Sequence, residues 1–168
     1  MKTLLIATLG LALTSAWGQS VDFNLDAVAA RAQKKAEITL EGPFLEQAMK
    51  SAPDKLKDKL GSVTRVVVRH YEFDQPGQYS DSDLDSVRKV ISSGTDWTRA
   101  VNVKEEKESV EIYMQSQGGK TTGFLLIAAE LKELTVVQVA GSIDLASLKE
   151  MVNSTIKYDL KTQSPISH

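Results

Sequence analysis

The strongest hydrophobic pattern in the chain is a pair of apolar runs separated by a short polar segment. The runs are Gly123–Ala129 and Leu134–Ala140, and the tetrapeptide between them is Glu130-Leu131-Lys132-Glu133. Two strand-length apolar runs joined by a short polar loop are typical of a β-hairpin. Each run is apolar at successive positions, which indicates burial on both faces. We therefore expect this hairpin to form the centre of an antiparallel sheet.

Other segments predict further strands of that sheet. Val63–Phe73 is rich in β-branched and aromatic residues, but both of its faces mix apolar with polar side chains, so alternation does not show which face meets the core. Trp97–Val103 and Val110–Gln115 flank a charged loop. In the second of these, Val110, Ile112 and Met114 alternate with Glu111, Tyr113 and Gln115, which predicts a strand with one buried face. Glu37–Leu40 fits a short edge strand.

Helical spacing of apolar residues and capping signals predict several helices. The clearest is Ser80–Ser93, which has Leu84, Val87 and Ile91 as its buried stripe. The others are one that begins at Asn24 or Asp26 and extends to Ala36, one that begins at Pro43, a short one from Asp54 to Leu60, and a last one capped by Asp144. The predicted fold is α+β with two layers: an antiparallel sheet of about five strands with helices mainly on one face.

Composition bounds the class of protein. The 168 residues suffice for one domain, for which we expect residues 19–160, followed by a disordered tail at residues 161–168. The formal net charge is −2 with no basic stripe, so nucleic-acid binding is not expected. The absence of cysteine excludes disulfides, thiol nucleophiles, zinc–thiolate sites and iron–sulfur clusters.

The N-terminal residues have the layout of a secretory signal peptide. Met1-Lys2 is positively charged, Thr3–Leu13 is apolar, and Thr14–Gly18 offers small residues for cleavage. We expect residues 1–18 to be removed so that the mature chain begins at Gln19, with cleavage after Ala16 as the alternative. The apolar run is short for a membrane span, and no later segment is long and apolar enough for one. The predicted location is therefore periplasmic or secreted, with no membrane span after signal cleavage.

Known catalytic and metal-binding patterns fit this sequence poorly. His70 and His168 are the only histidines, which disfavours a histidine metal site, and His70 lacks the Gly-x-Ser-x-Gly motif that accompanies many catalytic triads. The spacing Asp81-x-Asp83-x-Asp85 resembles a calcium loop, but Ser86 and Ser92 stand where glycine and glutamate are required. We interpret these aspartates as helix-capping residues. Gly119-Lys120-Thr121 resembles the end of a phosphate loop, but the first glycine of that motif is replaced by Met114.

A candidate binding surface remains when these patterns are set aside. Arginine together with aromatic residues is the composition of many recognition surfaces, and both occur on two predicted strands. The candidate residues are Arg65, Arg69, Tyr71, Trp97 and Arg99. In the plainer interpretation, which we prefer, the arginine stems cover apolar sheet surface and the aromatic rings belong to the core. We assign no catalytic residue, no metal ligand and no cofactor.

Three segments carry a family resemblance: VRHYEFDQPGQYS (residues 68–80), DWTR (residues 96–99) and ELTVVQVAGSIDL (residues 133–145). With these, the chain from Asp22 to about Tyr158 resembles the bacterial family of exported proteins called domain of unknown function 4252. The motifs are of the kind that specify a fold. The resemblance implies a cell-envelope protein without an established activity and transfers no site residues. The family's association with envelope-stress sigma-factor neighbourhoods implies a regulatory role as one alternative.

The first functional hypothesis is a non-catalytic periplasmic binding or interaction protein whose partner is an envelope protein or a small ligand. It rests on the export signal and on the absence of a recognisable catalytic motif. The alternatives are an envelope-stress or signalling accessory protein, and a hydrolase of unrecognised type that uses His70 and a nearby acid.

Overall fold

The structure is a computed structural model that describes residues 23–52, 54, 57–58, 62–94, 96–142 and 146–147. The predicted signal peptide (residues 1–18), most of the predicted last helix and the predicted tail (residues 161–168) lie outside these residues. Residues 146 and 147 are helical, and so is each described residue between positions 54 and 60.

The described part of the chain contains one antiparallel sheet of six strands. The strands are β1 (Lys34–Glu41), β2 (Val63–Glu72), β3 (Trp97–Lys104), β4 (Glu108–Gln117), β5 (Lys120–Glu130) and β6 (Glu133–Gly141). Their order across the sheet is β1-β2-β6-β5-β4-β3, and every neighbouring pair is antiparallel. The apolar hairpin β5–β6 therefore lies at the centre of the sheet, which confirms the prediction from its two-sided apolar runs.

The helices accompany this sheet as short elements. They are α1 (Asp26–Arg31), α2 (Gly42–Ser51) and α3 (Asp85–Ser93), and a 3-10 turn at Asp81–Leu84 leads directly into α3. Pro43 lies in the first turn of α2, where its missing N–H costs nothing. The backbone N–H of Ser80 donates to the Asp83 carboxylate over 2.8 Å as part of a capping box. The predicted helix at Ser80–Ser93 thus begins as a 3-10 turn.

The first helix is shorter than the sequence predicts. We expected it to reach Ala36, but α1 ends at Arg31, and residues 34–36 belong to β1. The cause is pairing with β2, since all eight residues of β1 align with β2 from Lys34↔Glu72 to Glu41↔Arg65. A continuous ladder of this length outweighs a helical spacing of small residues, whose preference is weak.

Side chains are buried on both faces of the sheet. Along β5, Leu125 and Ile127 point into one cluster, whereas Phe124 and Leu126 point into another. The first cluster contains residues of α1, the 3-10 turn and α3, and the second contains Leu45 of α2. The α+β class is confirmed, with six strands instead of about five and with α2 packed on the face opposite α1 and α3. None of the helices that the structure describes is long and apolar enough to cross a membrane.

The second face of β4 is also buried, contrary to expectation. Glu111, Tyr113 and Gln115 were predicted on the open face of a half-buried strand, yet each is less than one-tenth exposed. Tyr113 packs in the cluster that includes Val87 and Ile91 of α3. Because α3 lies over this side of the sheet, β4 is covered on both faces.

Candidate functional site

Arg65 of the predicted binding surface lies on β2 near the edge strand β1. Its Nε atom is 3.2 Å from Oε2 of Glu41, an ion-pair distance that lacks hydrogen-bond geometry. Both side chains are more than one-third exposed, so the pair contributes about 0–1 kcal/mol to stability. Arg65 therefore links the two strands.

Arg69 and Tyr71 are used by the fold itself. The Arg69 guanidinium donates to the backbone oxygen of Phe23 over 2.7 Å and lies 4.8 Å from the centre of the Phe23 ring. Tyr71 is only 1% exposed, and its hydroxyl donates to Oε1 of Glu37 over 2.7 Å. Burial, followed by this hydrogen bond, raises the pKa of Tyr71 above its ordinary value. Tyr71 therefore belongs to the core, and Arg69 joins β2 to the segment that precedes α1.

Trp97 and Arg99 lie on β3, far from the other three candidate residues. Strands β6, β5 and β4 separate β2 from β3. Four steps of about 4.8 Å between strands put the two groups roughly 19 Å apart. The structure therefore does not bring the five predicted residues into one surface, although it does bring Trp97 and Arg99 together.

These two residues line a cleft between α3 and the strands β3 and β4. The cleft has a volume of about 470 Å³. Its charged and aromatic lining consists of Asp85, Arg88, Lys89, Trp97, Arg99 and Tyr113. The buried stripe of α3 holds the helix against the sheet through Val87 and Ile91, which leaves the intervening residues 88 and 89 beside the opening.

Gly94 lies close to the indole of Trp97, which lines the cleft. A Cβ atom added to Gly94 would lie 3.3 Å from Cδ1 of Trp97, which is tighter than ordinary van der Waals contact. Gly94 also ends α3, where its N–H donates to the backbone oxygen of Ile91. The glycine therefore ends the helix and makes room for the ring at the same position.

A buried carboxylate supports the cleft from behind. Glu111 is 5% exposed, and its carboxylate accepts hydrogen bonds of 2.5 Å from both Arg88 Nη2 and the hydroxyl of Tyr113. The Arg88 guanidinium also contacts Asp81 at 2.8 Å and Asp85 at 3.4 Å. One arginine thus holds three carboxylates, of which one is buried.

The protonation states in this cluster follow from its contacts. Burial by itself raises the pKa of Glu111, but the hydrogen bonds from Arg88 and Tyr113 hold it below its ordinary value. Burial and the Glu111 carboxylate raise the pKa of Tyr113. A carboxylate kept ionised beside a phenol kept protonated is poorly tuned for proton transfer near neutral pH. The arrangement fixes charge in place.

The two other cations of the cleft are available to a ligand. Lys89 and Arg99 are exposed, and neither has an ion-pair partner among the described residues. Arg99 lies opposite Tyr113 in the β3–β4 register, and its positive charge lowers the pKa of that tyrosine against the larger effect of burial. The pairing of the two strands therefore places Arg99 beside the cleft.

Sequence reasoning missed Arg88, Lys89, Glu111 and Tyr113 as parts of this site. Arg88 and Lys89 lie outside the apolar stripe of the predicted helix and drew no prediction, and Glu111 and Tyr113 were predicted on the open face of a half-buried strand. One signal in the sequence could have indicated this cluster. Glu111 shares a strand face with the aromatic Tyr113, and the predicted helix carries Arg88 next to its buried stripe, so a buried acid paired with an arginine was a possible arrangement.

His70, the residue of the hydrolase alternative, lies elsewhere on the sheet. Its Nδ1 is 2.9 Å from the hydroxyl of Thr135, and its Nε2 is 3.7 Å from the carboxylate of Glu72. That carboxylate is closer to Lys34, at 2.9 Å. Over the described residues, no group of histidine, aspartate and glutamate side chains could hold a metal ion. Asp83 pairs with Arg31 at 2.7 Å, so all three aspartates of the calcium-like spacing contact arginine.

The segments that carry the family resemblance have identifiable structural roles. The rings of Phe73 and Tyr79 stack with their centres 4.8 Å apart, and the Tyr79 hydroxyl bonds the backbone oxygens of Glu130 and Glu133 at the β5–β6 turn. Gly141 has a φ of +120°, and a Cβ there would lie 2.2 Å from the backbone oxygen of Ser62. These residues fasten the central hairpin to the rest of the sheet.

Comparison with curated proteins finds no match, and comparison with solved structures finds none either. A family comparison does find one, over residues 32–151, which include all six strands. The matching family is described as a domain of unknown function, number 4252, and the match covers well over half of the chain. The resemblance seen in the sequence is thereby confirmed: the chain belongs to the domain of unknown function 4252 family.

Proposed function

We propose that the chain is an exported, non-catalytic binding protein of the bacterial cell envelope and that it holds its ligand in the cleft between α3 and β3. The observation that carries the proposal is the cleft itself. Its volume of about 470 Å³ falls within the range of small-molecule sites. An indole and two cations without carboxylate partners line it. Such a combination of an aromatic surface with a few polar groups supports specific binding.

The surroundings of the cleft favour binding over catalysis. Glu111 and Tyr113 are locked together and to Arg88, with a pKa below the ordinary value for the acid and above it for the phenol. A rigid wall of this kind reduces the conformational entropy that is lost on ligand binding, because its side chains are already held in place.

Trp97 offers a direct test of this proposal. The chain has two tryptophans, so a Trp17→Phe variant leaves Trp97 as the single indole. We expect a ligand captured from a metabolite mixture, identified by native mass spectrometry, to change the Trp97 fluorescence. Trp97→Ala should abolish the retention of that ligand, and Arg99→Gln should alter it.

Arg65→Gln is the matched control, since it removes another exposed strand arginine roughly 19 Å from the cleft. Retention of the same ligand by the Trp97→Ala variant and by the parent chain would contradict the proposal. Export is tested separately by mass spectrometry of the protein from the periplasmic fraction. Its N-terminus should be Gln19 or Trp17, and an intact Met1 terminus would refute signal cleavage.

The alternative function is a hydrolase, favoured by the row of Thr135, His70 and Glu72. Its weakness is the competition of Lys34 for the Glu72 carboxylate. A screen with ester, phosphoester and glycoside substrates would support this alternative only if an activity of the parent chain disappears in both His70→Ala and Thr135→Val. Activity that persists in both variants excludes this row as its source.

A further inference from the structure

We propose that the ligand of the α3–β3 cleft is a small organic anion with one carboxylate or phosphate group and a flat apolar body. This inference rests on the proposed binding function and adds the chemical class of the ligand. Three features carry it: the distribution of charge around the cleft, the position of Arg99 opposite Tyr113, and the position of the Trp97 indole.

Charge around the cleft is divided into a paired and an unpaired part. Asp81, Asp85 and Glu111 all contact the Arg88 guanidinium, and the hydrogen bonds to Glu111 and Asp81 raise the pKa of that arginine. With Lys89 and Arg99 included, these charges sum to zero, but they are unevenly placed. Lys89 and Arg99 line the cleft and take part in none of these ion pairs. The anionic group of a ligand fits beside these two unpaired cations.

Arg99 differs from the other arginines in what it contacts. Among the described residues, Arg31, Arg65 and Arg88 each face a carboxylate, and Arg69 faces a backbone oxygen and an aromatic ring. Within the same part of the chain, Arg99 has neither kind of contact: it lies opposite Tyr113 in the β3–β4 register, and the Tyr113 hydroxyl donates to Glu111. An exposed guanidinium without a carboxylate partner suits two parallel hydrogen bonds to a carboxylate or phosphate.

The apolar part of the ligand is assigned by Trp97. Trp97 is half-buried and lines the cleft, and the missing side chain of Gly94 leaves room for its indole. A flat group stacked on this ring beside Arg99 would bury apolar surface while its anionic end reaches the guanidinium. Asp85 is the one lining carboxylate, and we expect it to oppose anion binding from the α3 side.

The experiment uses the protein processed from a Trp17→Phe precursor, in which the indole N–H signal of Trp97 is unique in a ¹H–¹⁵N spectrum whether cleavage follows Ala16 or Gly18. The probes are benzoate, phenyl phosphate and benzamide, the last being a neutral molecule of benzoate's shape. We expect at least one of the two anions to shift the Trp97 signal. The anion that binds more tightly shows whether the site prefers a carboxylate or a phosphate group. Benzamide should bind about tenfold more weakly, corresponding to the loss of one charge-assisted hydrogen bond.

Two substitutions with opposite expected effects on anion affinity sharpen the test. Arg99→Gln should weaken binding of the preferred anion about tenfold, and Asp85→Asn should strengthen it. Arg65→Gln should leave the dissociation constant unchanged. Because residues 85 and 99 are exposed, their variants are expected to fold, and an unchanged melting temperature verifies that.

The outcomes separate this inference from the function on which it rests. Equal binding of benzamide and benzoate, or an unchanged constant in Arg99→Gln, overturns the anion class but leaves cleft binding intact. No shift of Trp97 with either anion at millimolar concentration also overturns the anion class. If a captured metabolite then still changes the Trp97 fluorescence, the proposed binding function stands. If no metabolite changes it, both proposals fail. A shift produced only by an acidic peptide overturns the assignment to a small molecule.

Discussion

Removing Arg88 should expose how much the fold depends on one buried charge. Arg88→Met keeps most of the side-chain volume but takes away the guanidinium that contacts Glu111 at 2.5 Å. The Glu111 carboxylate would retain the hydroxyl of Tyr113 and the more distant charge of Arg99. Apart from these two interactions, the charge of Glu111 would be left uncompensated in a site where its side chain is only 6% exposed.

The magnitude follows from that burial. Breaking a buried ion pair by removing one partner costs about 3–5 kcal/mol, and because Arg88 itself is 25% exposed we expect the lower end. The same substitution at Arg31 is the control. Its pair with Asp83 has a similar distance of 2.7 Å, but the Arg31 side chain is 43% exposed, so Arg31→Met should cost about 0–1 kcal/mol.

Urea unfolding followed by circular dichroism measures both free energies. The double variant Arg88→Met/Glu111→Gln provides the decisive comparison, since it removes the stranded charge. It should be more stable than Arg88→Met alone, although it lacks more of the native contacts. The role of Arg88 as the partner of a buried charge is refuted if Arg88→Met costs no more stability than Arg31→Met. It is also refuted if the double variant is less stable than Arg88→Met, because Arg88 then does not stabilise the fold by compensating the buried charge of Glu111.

Three further predictions concern the sheet and its pH dependence. Leu126→Ala at the centre of β5 should lower the free energy of unfolding by about 2–5 kcal/mol, whereas Leu131→Ala in the exposed turn should change it by less than about 0.5 kcal/mol; equal melting temperatures would contradict this. Gly141→Ala should cost about 3 kcal/mol or more, because its φ of +120° and the contact with Ser62 both exclude a Cβ, whereas Gly118→Ala, which has open space, should cost about 1–2 kcal/mol; similar losses would refute the role of the close contact. Finally, the pKa of Glu111 in the folded state is held below its ordinary value of 4.5, so its contribution to stability is present above that pH and is lost as the pH falls through the folded-state pKa. Between pH 6 and pH 2 the free energy of unfolding should therefore fall less steeply in Glu111→Gln than in the parent chain. An identical slope would count against this coupling.

The central sheet was predictable because its signal is local and strong. The runs that flank residues 130–133 are apolar on both faces, and no competing periodicity exists there, so β5 and β6 could be placed at the centre from the sequence. Only half of the edge strand β1 was predictable: Glu37–Leu40 was predicted as an edge strand, and the structure confirms it, but the strand begins at Lys34. Lys34, Lys35 and Ala36 have helical spacing with the residues before them, and only the distant strand β2 makes them extended. Pairing between segments that are far apart in sequence leaves little local trace.

The candidate site was predictable only in part, for a related reason. Arginine and tryptophan at the start of β3 stood out by composition, and they do line the cleft. Arg65, Arg69 and Tyr71 matched the same composition but lie on β2, because strand order cannot be read from side-chain type. The support from Arg88 and Glu111 joins a helix to a strand 23 residues away, and only the packing of α3 on the sheet creates it.

The strand order also has a consequence for how the chain assembles. Strands β3 to β6 follow one another as neighbours joined by short turns, so they can pair as soon as they are made. β2 pairs with β6, and even the closest paired positions, Glu72 and Glu133, are 61 residues apart in sequence. Closing so long a loop is slow, and until it happens β6 presents an open edge of unpaired backbone groups. The first two strands to be synthesised therefore wait for the last one.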